Sequence, residues 1–250
     1  MATFHQKIEI SIVIPSFNEG RVLPTTLEKL SVYLKGLHKS FEIIVSDDGS
    51  DDQTQHLNWQ ELEKRFSARY IRSNINTGKG GALRRGLQAS CGKSVIFTDA
   101  DLPVELDSIS RCLDLLEENN FDMVVGNRYI KESRVIGRYS LCRRLMSKVF
   151  RIFTGWVLPQ HSDTQCCLKG FTTRSLRSIL PFCSVDSYAV DIELLVLANS
   201  KRMRVATIPV TWHDGRLDFT AFQTLRISLI LLKDISYIVS LKMFPSFHRL

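Results

Sequence analysis

The sequence predicts an α/β fold in which helices flank a mainly parallel sheet. In the first half, short runs rich in isoleucine, valine and phenylalanine alternate with segments whose apolar residues recur at helical spacing. This alternation is typical of strand–helix–strand units, which build parallel sheets. The composition, 44% hydrophobic and 24% charged over 250 residues, is that of a globular protein and excludes a disordered chain or a bare coiled coil.

The elements alternate regularly in the first half and less so in the second. Strands are predicted over residues 8–14, 41–45, 69–72, 94–98 and 121–125. Helices are predicted over residues 20–37, through Leu57, Leu62 and Phe66, after the glycine-rich loop 76–81, and over 105–118. The second half has predicted helices over 138–154 and 190–199, a strand over 203–211 and a helix from residue 219. We expect one domain over residues 1–215 and an apolar C-terminal helix within 216–250.

A polar cluster follows each of the five predicted strands. In chain order the clusters read SFNEG, SDDGSDD, NINTGKGG, DADLP and GNRY. Parallel strands end at one edge of a sheet, and ligands of such sheets bind beyond that edge. Surface loops are polar in any protein, but carboxylates and glycines that recur at one edge favour a binding site.

Asp99 and Asp101 are the candidate metal ligands. They stand two apart at a strand end, and in an extended chain both side chains would point the same way. Paired carboxylates suit Mg²⁺ or Mn²⁺, which substrate phosphates and water would complete. The alternative is a pair of capping or solvated carboxylates.

The other clusters also allow two interpretations each. Asp47 and Asp48 fit an Asx-type turn, or a nucleotide site in which Asp47 is the better candidate. The loop 77–81 is not a P-loop, although its glycines, a helix N-terminus and Lys79 would suit a phosphate. Arg128 is either a phosphate ligand or an exposed surface arginine.

Six cysteines without a CxxC pair predict reduced thiols. The sequence shows no secretory signal, and it has no run of about 18 uninterrupted apolar residues of the kind that spans a membrane. We therefore expect a cytoplasmic protein.

Taken together, the motifs resemble the inverting family-2 glycosyltransferases of the GT-A fold, particularly the polyprenyl-phosphate sugar synthases. The resemblance covers roughly residues 8–215. It rests on six motifs in order: IPSFNE from Ile14, SDDGSD from Ser46, GKGGA from Gly78, DADL from Asp99, GNRY from Gly126 and DTQC from Asp163.

The resemblance implies roles for individual residues. For the nucleotide sugar it implies Pro15, Asn18, Glu19, Asp47, Lys79, Gly80 and Asp99. For catalysis it implies Asp99, Asp101 and Arg128, with Asp99 and Asp101 as ligands of Mg²⁺ or Mn²⁺. For the acceptor phosphate it implies Arg128, Arg138 and Lys169, with Asp163, Gln165 and Asp191 in support.

The stretches from Asp163 and from Asp191 look more like dolichyl-phosphate β-glucosyltransferases than like mannosyl enzymes, which implies UDP-glucose as donor. A GDP-mannose-dependent enzyme and a transferase with a soluble acceptor stay open, as does a scaffold without turnover. A phosphate acceptor is already an anionic nucleophile near neutral pH, so we assign no general base. The QxxRW motif of processive synthases is absent, which favours transfer of a single sugar.

The net charge of +7 lies in one segment. Residues 126–155 contain eight basic residues and one acid, and the rest of the chain is balanced. Over residues 138–156, aliphatic and aromatic residues fill one half of a helical wheel and arginine and lysine fill the other. This pattern predicts an interfacial helix on an anionic membrane, at its cytosolic face, rather than a core helix. The C-terminal helix would dock beside it or engage a membrane protein. A nucleic-acid-binding module is the alternative. It is disfavoured because the basic residues alternate with aliphatic ones rather than with exposed aromatic ones, and because the acidic motifs DADL and DDGS would repel phosphates.

Overall fold

The computed structural model describes residues 7–137, 148, 151–152, 154–213, 230, 233–238 and 240. A seven-stranded sheet has the order β3-β2-β1-β4-β7-β5-β8. Its strands are β1 (Ile10–Ser16), β2 (Phe41–Asp47), β3 (Ala68–Arg72), β4 (Ser94–Phe97), β5 (Met123–Asn127), β7 (Lys169–Thr172) and β8 (Val205–Pro209). β6 (Arg134–Ile136) and β9 (Thr211–His213) form a second, two-stranded sheet.

The helices with both ends described are α1 (Leu23–Gly36), α2 (Trp59–Phe66), α3 (Lys79–Ala89), α4 (Asp107–Glu117), α5 (Thr173–Ile179) and α6 (Val190–Ser200). Short 3₁₀ turns cover Gln53–His56 and Leu180–Phe182. α1 begins three residues later than predicted, because Pro24 fits only the first turn of a helix. The mixed α/β class with a mainly parallel sheet is confirmed.

Two apolar cores cover the two faces of the sheet. Alternate residues of β1 belong to different cores: Ile12 and Ile14 pack with α1 and α4, whereas Val13 packs with α3 and α6. Central strands buried on both faces need continuous apolar runs, which explains the sequence ISIVIPS of β1. α6 is buried along most of its length, so its hydrophobicity extends all round.

The second half departs from the prediction in two strands. β7 is antiparallel to both β4 and β5 and was not predicted, since its four residues, KGFT, carry neither alternation nor an apolar run. The predicted strand over 203–211 is two strands in different sheets. Pro209 ends β8, and the Val210 N–H donates to Ser133 Oγ (3.3 Å) instead of to a strand partner.

The C-terminal segment touches the core where it is described. Residues 233–238 are helical, and Ile235 and Ile238 are buried in the core that contains α6. The boundary predicted at residue 215 lies outside the described residues and stays a prediction, as does most of the basic helix predicted over 138–156. No helix among the described residues is both long and apolar enough to cross a bilayer.

Gly86 tests how closely α3 packs on β1. A Cβ at Gly86 would lie 2.4 Å from Val13 Cγ1, whereas a Cβ at Gly36, in α1, would have no neighbour within 4 Å. We expect Gly86→Ala to lower the free energy of unfolding by about 1–3 kcal/mol through overpacking. Gly36→Ala should leave it unchanged or raise it by up to about 1 kcal/mol. Urea denaturation measures both, and equal effects would contradict the packing argument.

Candidate active site

A cavity of about 250 Å³ opens at the carboxyl edge of β1, β2 and β4, beside the start of α3. We call it the rim cavity. Four residues predicted for the nucleotide site line it together: Pro15, Glu19, Lys79 and Asp99. Three further lining residues were not predicted there: Asp48, Asn76 and Tyr188. The structure thus brings four of the five polar clusters to one cavity, joined by Tyr188 from the second half.

Asp48, and not Asp47, is the acidic residue of its cluster that lines the cavity. β2 runs two residues further than predicted, so Asp47 is still in the strand and its side chain is fully buried. It accepts hydrogen bonds from the Tyr70 hydroxyl (2.5 Å) and the Ser50 N–H (3.1 Å). Asp48 is the first residue beyond the strand, and it lines the rim cavity. The preference for Asp47 at the nucleotide is therefore not supported by its position.

Asp48 fixes the glycine-rich loop. Its carboxylate accepts hydrogen bonds from the N–H groups of Thr77 (2.9 Å) and Gly78 (2.5 Å), and from Arg85 Nη2 (2.8 Å). These bonds tie β2 to the start of α3. Since Asp48 also lines the rim cavity, it both holds the loop and faces any ligand there.

Asn18 joins the loop after β1 to the loop after β2 by hydrogen bonds. Its φ of 58° lies in the left-handed region, which asparagine tolerates better than most residues. Its Oδ1 accepts from the N–H groups of Asp51 (3.0 Å) and Asp52 (3.3 Å), and its Nδ2 donates to Asp51 Oδ1 (2.7 Å). These bonds join the loops that follow β1 and β2, and the predicted place of Asn18 at the nucleotide stays a prediction.

The glycines after Thr77 accommodate the chain's own backbone. A Cβ on Gly80 would lie 2.1 Å from the carbonyl oxygen of Val185, and the Gly80 N–H donates to the Asp186 carbonyl (2.7 Å). Gly78, with φ of +99°, approaches Asp186 in the same way. The Gly80 N–H is therefore bonded within the protein, and the predicted place of Gly80 at the nucleotide stays a prediction.

Lys79 joins the two halves of the chain. Its Nζ lies 3.0 Å from Asp99 Oδ1 and 3.4 Å from Asp191 Oδ2. Burial lowers the pKa of Lys79, but the carboxylates of Asp191 and Asp99 outweigh it and raise the pKa above its usual value. The ammonium therefore stays charged and provides fixed positive charge in the rim cavity.

Lys169 lies beneath this ion pair. The side chain is fully buried; its Nζ donates to Asp191 and to the carbonyl of Cys166 (2.6 Å). Its position follows from β7, where Lys169 pairs with Phe97 of β4. The prediction that Lys169 contacts the acceptor phosphate disagrees with this burial. Lys169 instead holds Asp191, which in turn holds Lys79.

The chain is not extended through Asp99 and Asp101. β4 ends at Phe97, and a turn follows in which the Leu102 N–H donates to the Asp99 carbonyl (3.2 Å) and Leu102 has a φ of 47°. The premise that alternation aligns the two carboxylates is therefore wrong. Asp99 nevertheless lines the rim cavity, and its carboxylate already binds a cation, Lys79.

These residues fit a divalent cation that the substrate completes. Asp99 and Asp101 offer hard oxygen ligands, and no set of three or more His, Cys, Asp or Glu residues in the described ranges could hold a metal. Mg²⁺ is commonly held by one or two carboxylates together with substrate phosphates and water. The roles of both aspartates stay predictions.

Arg128 is paired within the protein. Its Nε and Nη2 donate to both carboxylate oxygens of Asp163 (2.7 and 2.8 Å), and the Arg128 N–H adds a third bond (2.9 Å). The guanidinium lies 4.7 Å from the ring centroid of Trp212. Burial raises the pKa of Asp163, but the hydrogen bonds and charge of Arg128 outweigh it and lower the pKa. Any bidentate phosphate contact would compete with Asp163.

One more predicted residue, Gln165, can be placed, and one cannot. Gln165 Nε2 donates to the Tyr188 carbonyl (3.4 Å), so Gln165 supports a cavity-lining residue. Glu193, two residues after Asp191, accepts from the N–H groups of Ser184 (2.8 Å) and Val185. Arg138 lies outside the described residues.

The sequence of residues 11–179 matches the family model of glycosyl transferase family 2. The chain belongs to this family. It is 32% identical to the dolichyl-phosphate beta-glucosyltransferase of Dictyostelium discoideum, over 91% of this chain and 73% of the relative. It is also 32% identical to the human dolichyl-phosphate beta-glucosyltransferase, over 82% of this chain and 68% of that protein.

Solved structures show the same fold. The glucosyl-3-phosphoglycerate synthase of Mycobacterium tuberculosis superposes with a TM-score of 0.68 at 20% identity, over 92% of this chain and 80% of that one. The mannosyl-3-phosphoglycerate synthase of Rubrobacter xylanophilus has the same TM-score at 17% identity, over 94% and 75% of the two chains. Another structure of the M. tuberculosis enzyme contains Mn²⁺ and UDP. It has a TM-score of 0.66 at 20% identity, and the alignment covers 92% of this chain and 80% of that one. The GT-A architecture is therefore confirmed, and the family assignment makes this protein a glycosyltransferase.

Removing Asp163 should destabilise this glycosyltransferase in a pH-dependent way. Asp163→Asn leaves a largely buried guanidinium unpaired, and we expect a loss of about 3 kcal/mol at pH 7. Because the folded pKa of Asp163 is lowered, the stability from its carboxylate is present above the unfolded pKa of about 3.9 and lost as pH falls through the folded value. Urea denaturation should show the difference from wild type shrinking below about pH 4. A difference independent of pH would contradict this account.

Proposed function

We propose that the protein transfers one glucose from UDP-glucose to dolichyl phosphate or a related polyprenyl phosphate, with inversion at the anomeric carbon. The observation that carries the proposal is the similarity to dolichyl-phosphate beta-glucosyltransferases over up to 91% of the chain. The rim cavity supports it, because Asp48, Lys79 and Asp99 meet there at the carboxyl edge of the sheet. This edge is where open α/β sheets bind their ligands.

The protein's own groups account for most of the chemistry. Transfer requires the acceptor phosphate to reach the anomeric carbon as the nucleoside diphosphate leaves. Lys79, held by Asp99 and Asp191, places a permanent cation within reach of both the leaving diphosphate and the attacking phosphate. A cation held by Asp99 and Asp101 would supply further neutralisation of the diphosphate. An anionic phosphate needs no proton removed before it attacks, so no side chain is assigned as general base.

A transfer assay tests the proposal directly. The purified protein is given radiolabelled UDP-glucose or GDP-mannose, with dolichyl phosphate or with 3-phosphoglycerate, in Mg²⁺ or Mn²⁺. We expect label in the lipid fraction from UDP-glucose and dolichyl phosphate alone, and its loss on adding EDTA. Transfer from GDP-mannose, or transfer only to the soluble acceptor, would overturn the proposal.

Asp101→Asn is the matching variant for this assay. We expect transfer to fall by about a hundredfold or more, which corresponds to about 2.7 kcal/mol of lost transition-state stabilisation. Asp114→Asn is the control, because Asp114 is an exposed carboxylate on α4. Unchanged transfer by the Asp101 variant would remove Asp101 from the site.

We further propose that the protein binds the cytosolic face of a membrane through its basic segment. Trp156 is 85% exposed and Ile152 56% exposed, and the Arg151 guanidinium lies 4.1 Å from the ring centroid of Tyr129, which follows β5. Exposed apolar side chains beside basic ones suit an anionic lipid surface. The docked position of Ile235 and Ile238 favours packing of the C-terminal helix on the protein, with a membrane-protein partner as the alternative.

Tryptophan fluorescence tests this membrane contact. Trp59 stacks on Tyr70 and Trp212 is buried, so Trp156 is the exposed reporter. We expect anionic vesicles, and not neutral ones, to shift the emission to shorter wavelength, and Trp156→Phe to abolish the shift. In sedimentation with the same vesicles, Trp156→Ala should bind several-fold more weakly, while Val32→Ala, at an exposed position of α1, should bind as wild type. Equal binding by both variants would contradict the contact.

A further inference from the structure

A second cavity, of about 540 Å³, adjoins the rim cavity. We call it the outer cavity. The two cavities share Asn76, Gly78, Lys79 and Tyr188, so these residues form the junction between them. At the junction, the Lys79 ammonium lies 5.9 Å from the centroid of the Tyr188 ring. A ligand that occupies the outer cavity therefore has one end within reach of the rim cavity.

One wall of the outer cavity is rigid backbone. Its residues Ser184–Ser187 run along the glycine-rich loop, where the Gly80 N–H donates to the Asp186 carbonyl (2.7 Å). The buried Glu193 carboxylate accepts hydrogen bonds from the N–H groups of Ser184 and Val185, at the start of this stretch. The wall is therefore fixed from both sides and is built before any ligand binds.

The opposite wall belongs to the C-terminal segment. Ile230, Asp234 and Tyr237 line the cavity, while Ile235 and Ile238 of the same segment are buried in the core. The Tyr237 hydroxyl accepts a hydrogen bond from Ser184 Oγ (3.5 Å), which joins the two walls. Ile230 and Tyr237 remain 42% and 46% exposed, although they are apolar or aromatic.

The charge of the outer cavity does not suit an anion along its length. Its charged lining residues are Lys79, which two carboxylates already hold, and the acids Asp186 and Asp234. Asp186 pairs with Arg84 Nη2 at 2.5 Å. Among the lining residues that the structure describes, positive charge thus lies at the junction alone, while Ile230, Tyr237 and Tyr188 offer apolar and aromatic surface. The volume is within the roughly 300–1,000 Å³ of small-ligand pockets.

We propose that the outer cavity holds the first isoprene units of the lipid-linked acceptor, with its phosphate at the Lys79–Tyr188 junction. This inference rests on the proposed function and adds the place where the apolar chain binds. The chain enters past Ile230 and Tyr237, and the single cationic end of the cavity sets its direction. Tyr188 separates this chain from the nucleotide sugar.

Two acceptors of different length separate chain binding from chemistry. The variant is Ile230→Glu, which places a charge on the path of the chain; Val32→Glu, on exposed α1, is the control. With dolichyl phosphate we expect Ile230→Glu to lower kcat/KM at least tenfold, about 1.4 kcal/mol. With dimethylallyl phosphate, which has one isoprene unit, the change should stay within about twofold, and the KM for UDP-glucose should not change. Equal losses with both acceptors, or no loss with either, would overturn the proposal.

A binding measurement keeps this test independent of turnover. Farnesol carries an apolar chain without phosphate, and calorimetry should show it binding to wild type and to Val32→Glu but not to Ile230→Glu. Matching thermal unfolding temperatures would establish that all three proteins are folded. If no acceptor is glucosylated but farnesol binding follows this pattern, the proposed function fails and the apolar site stands. If farnesol binds all three proteins equally, or none, the site fails.

Discussion

The Lys79 ammonium is the contact on which the site depends. It lies between Asp99, which follows β4, and Asp191, in the first turn of α6. One side chain therefore links the glycine-rich loop, the acidic turn and the second half of the chain. Buried charges are tolerated only when each has a partner of opposite charge. Lys169 supplies the second positive charge of this cluster by donating to Asp191. The cluster carries two positive and two negative side chains before any substrate binds.

The first half of the fold could be predicted because each element carries a local signal. Buried parallel strands leave continuous apolar runs, as in β1, and Pro24 marks the start of α1. β7 carries no such signal, because a lysine is not expected in a buried strand. Lys169 can be buried there only because Asp191 neutralises it, and that partner lies 22 residues away in the sequence, where no local pattern identifies it. Its antiparallel insertion between β4 and β5 is what carries Lys169 beneath the site.

The same distinction holds within the site. Motif order located Pro15, Glu19, Lys79 and Asp99 at one cavity, since the carboxyl ends of parallel strands meet. The choice between Asp47 and Asp48 depended on where β2 ends, and a shift of two residues moved Asp47 into the strand. Gly80 was predicted to contact a phosphate because a glycine, which has no side chain, lets another group approach its backbone closely. The approaching group is the Val185 carbonyl, from a segment 105 residues later in the chain, which the spacing of the glycines could not reveal.

Two carboxylates determine how the second half docks. α6 is hydrophobic on nearly every side, so a sequence pattern gives it no preferred face. Asp191 and Glu193 break that symmetry, because a buried carboxylate must find donors or a cation. Asp191 finds Lys79 and Lys169, and Glu193 finds the N–H groups of Ser184 and Val185. Burial raises the pKa of Glu193 by more than its hydrogen bonds to Ser184 and Val185 lower it. The helix meets both demands in the observed orientation, in which Tyr188, two residues before its start, lines the rim cavity.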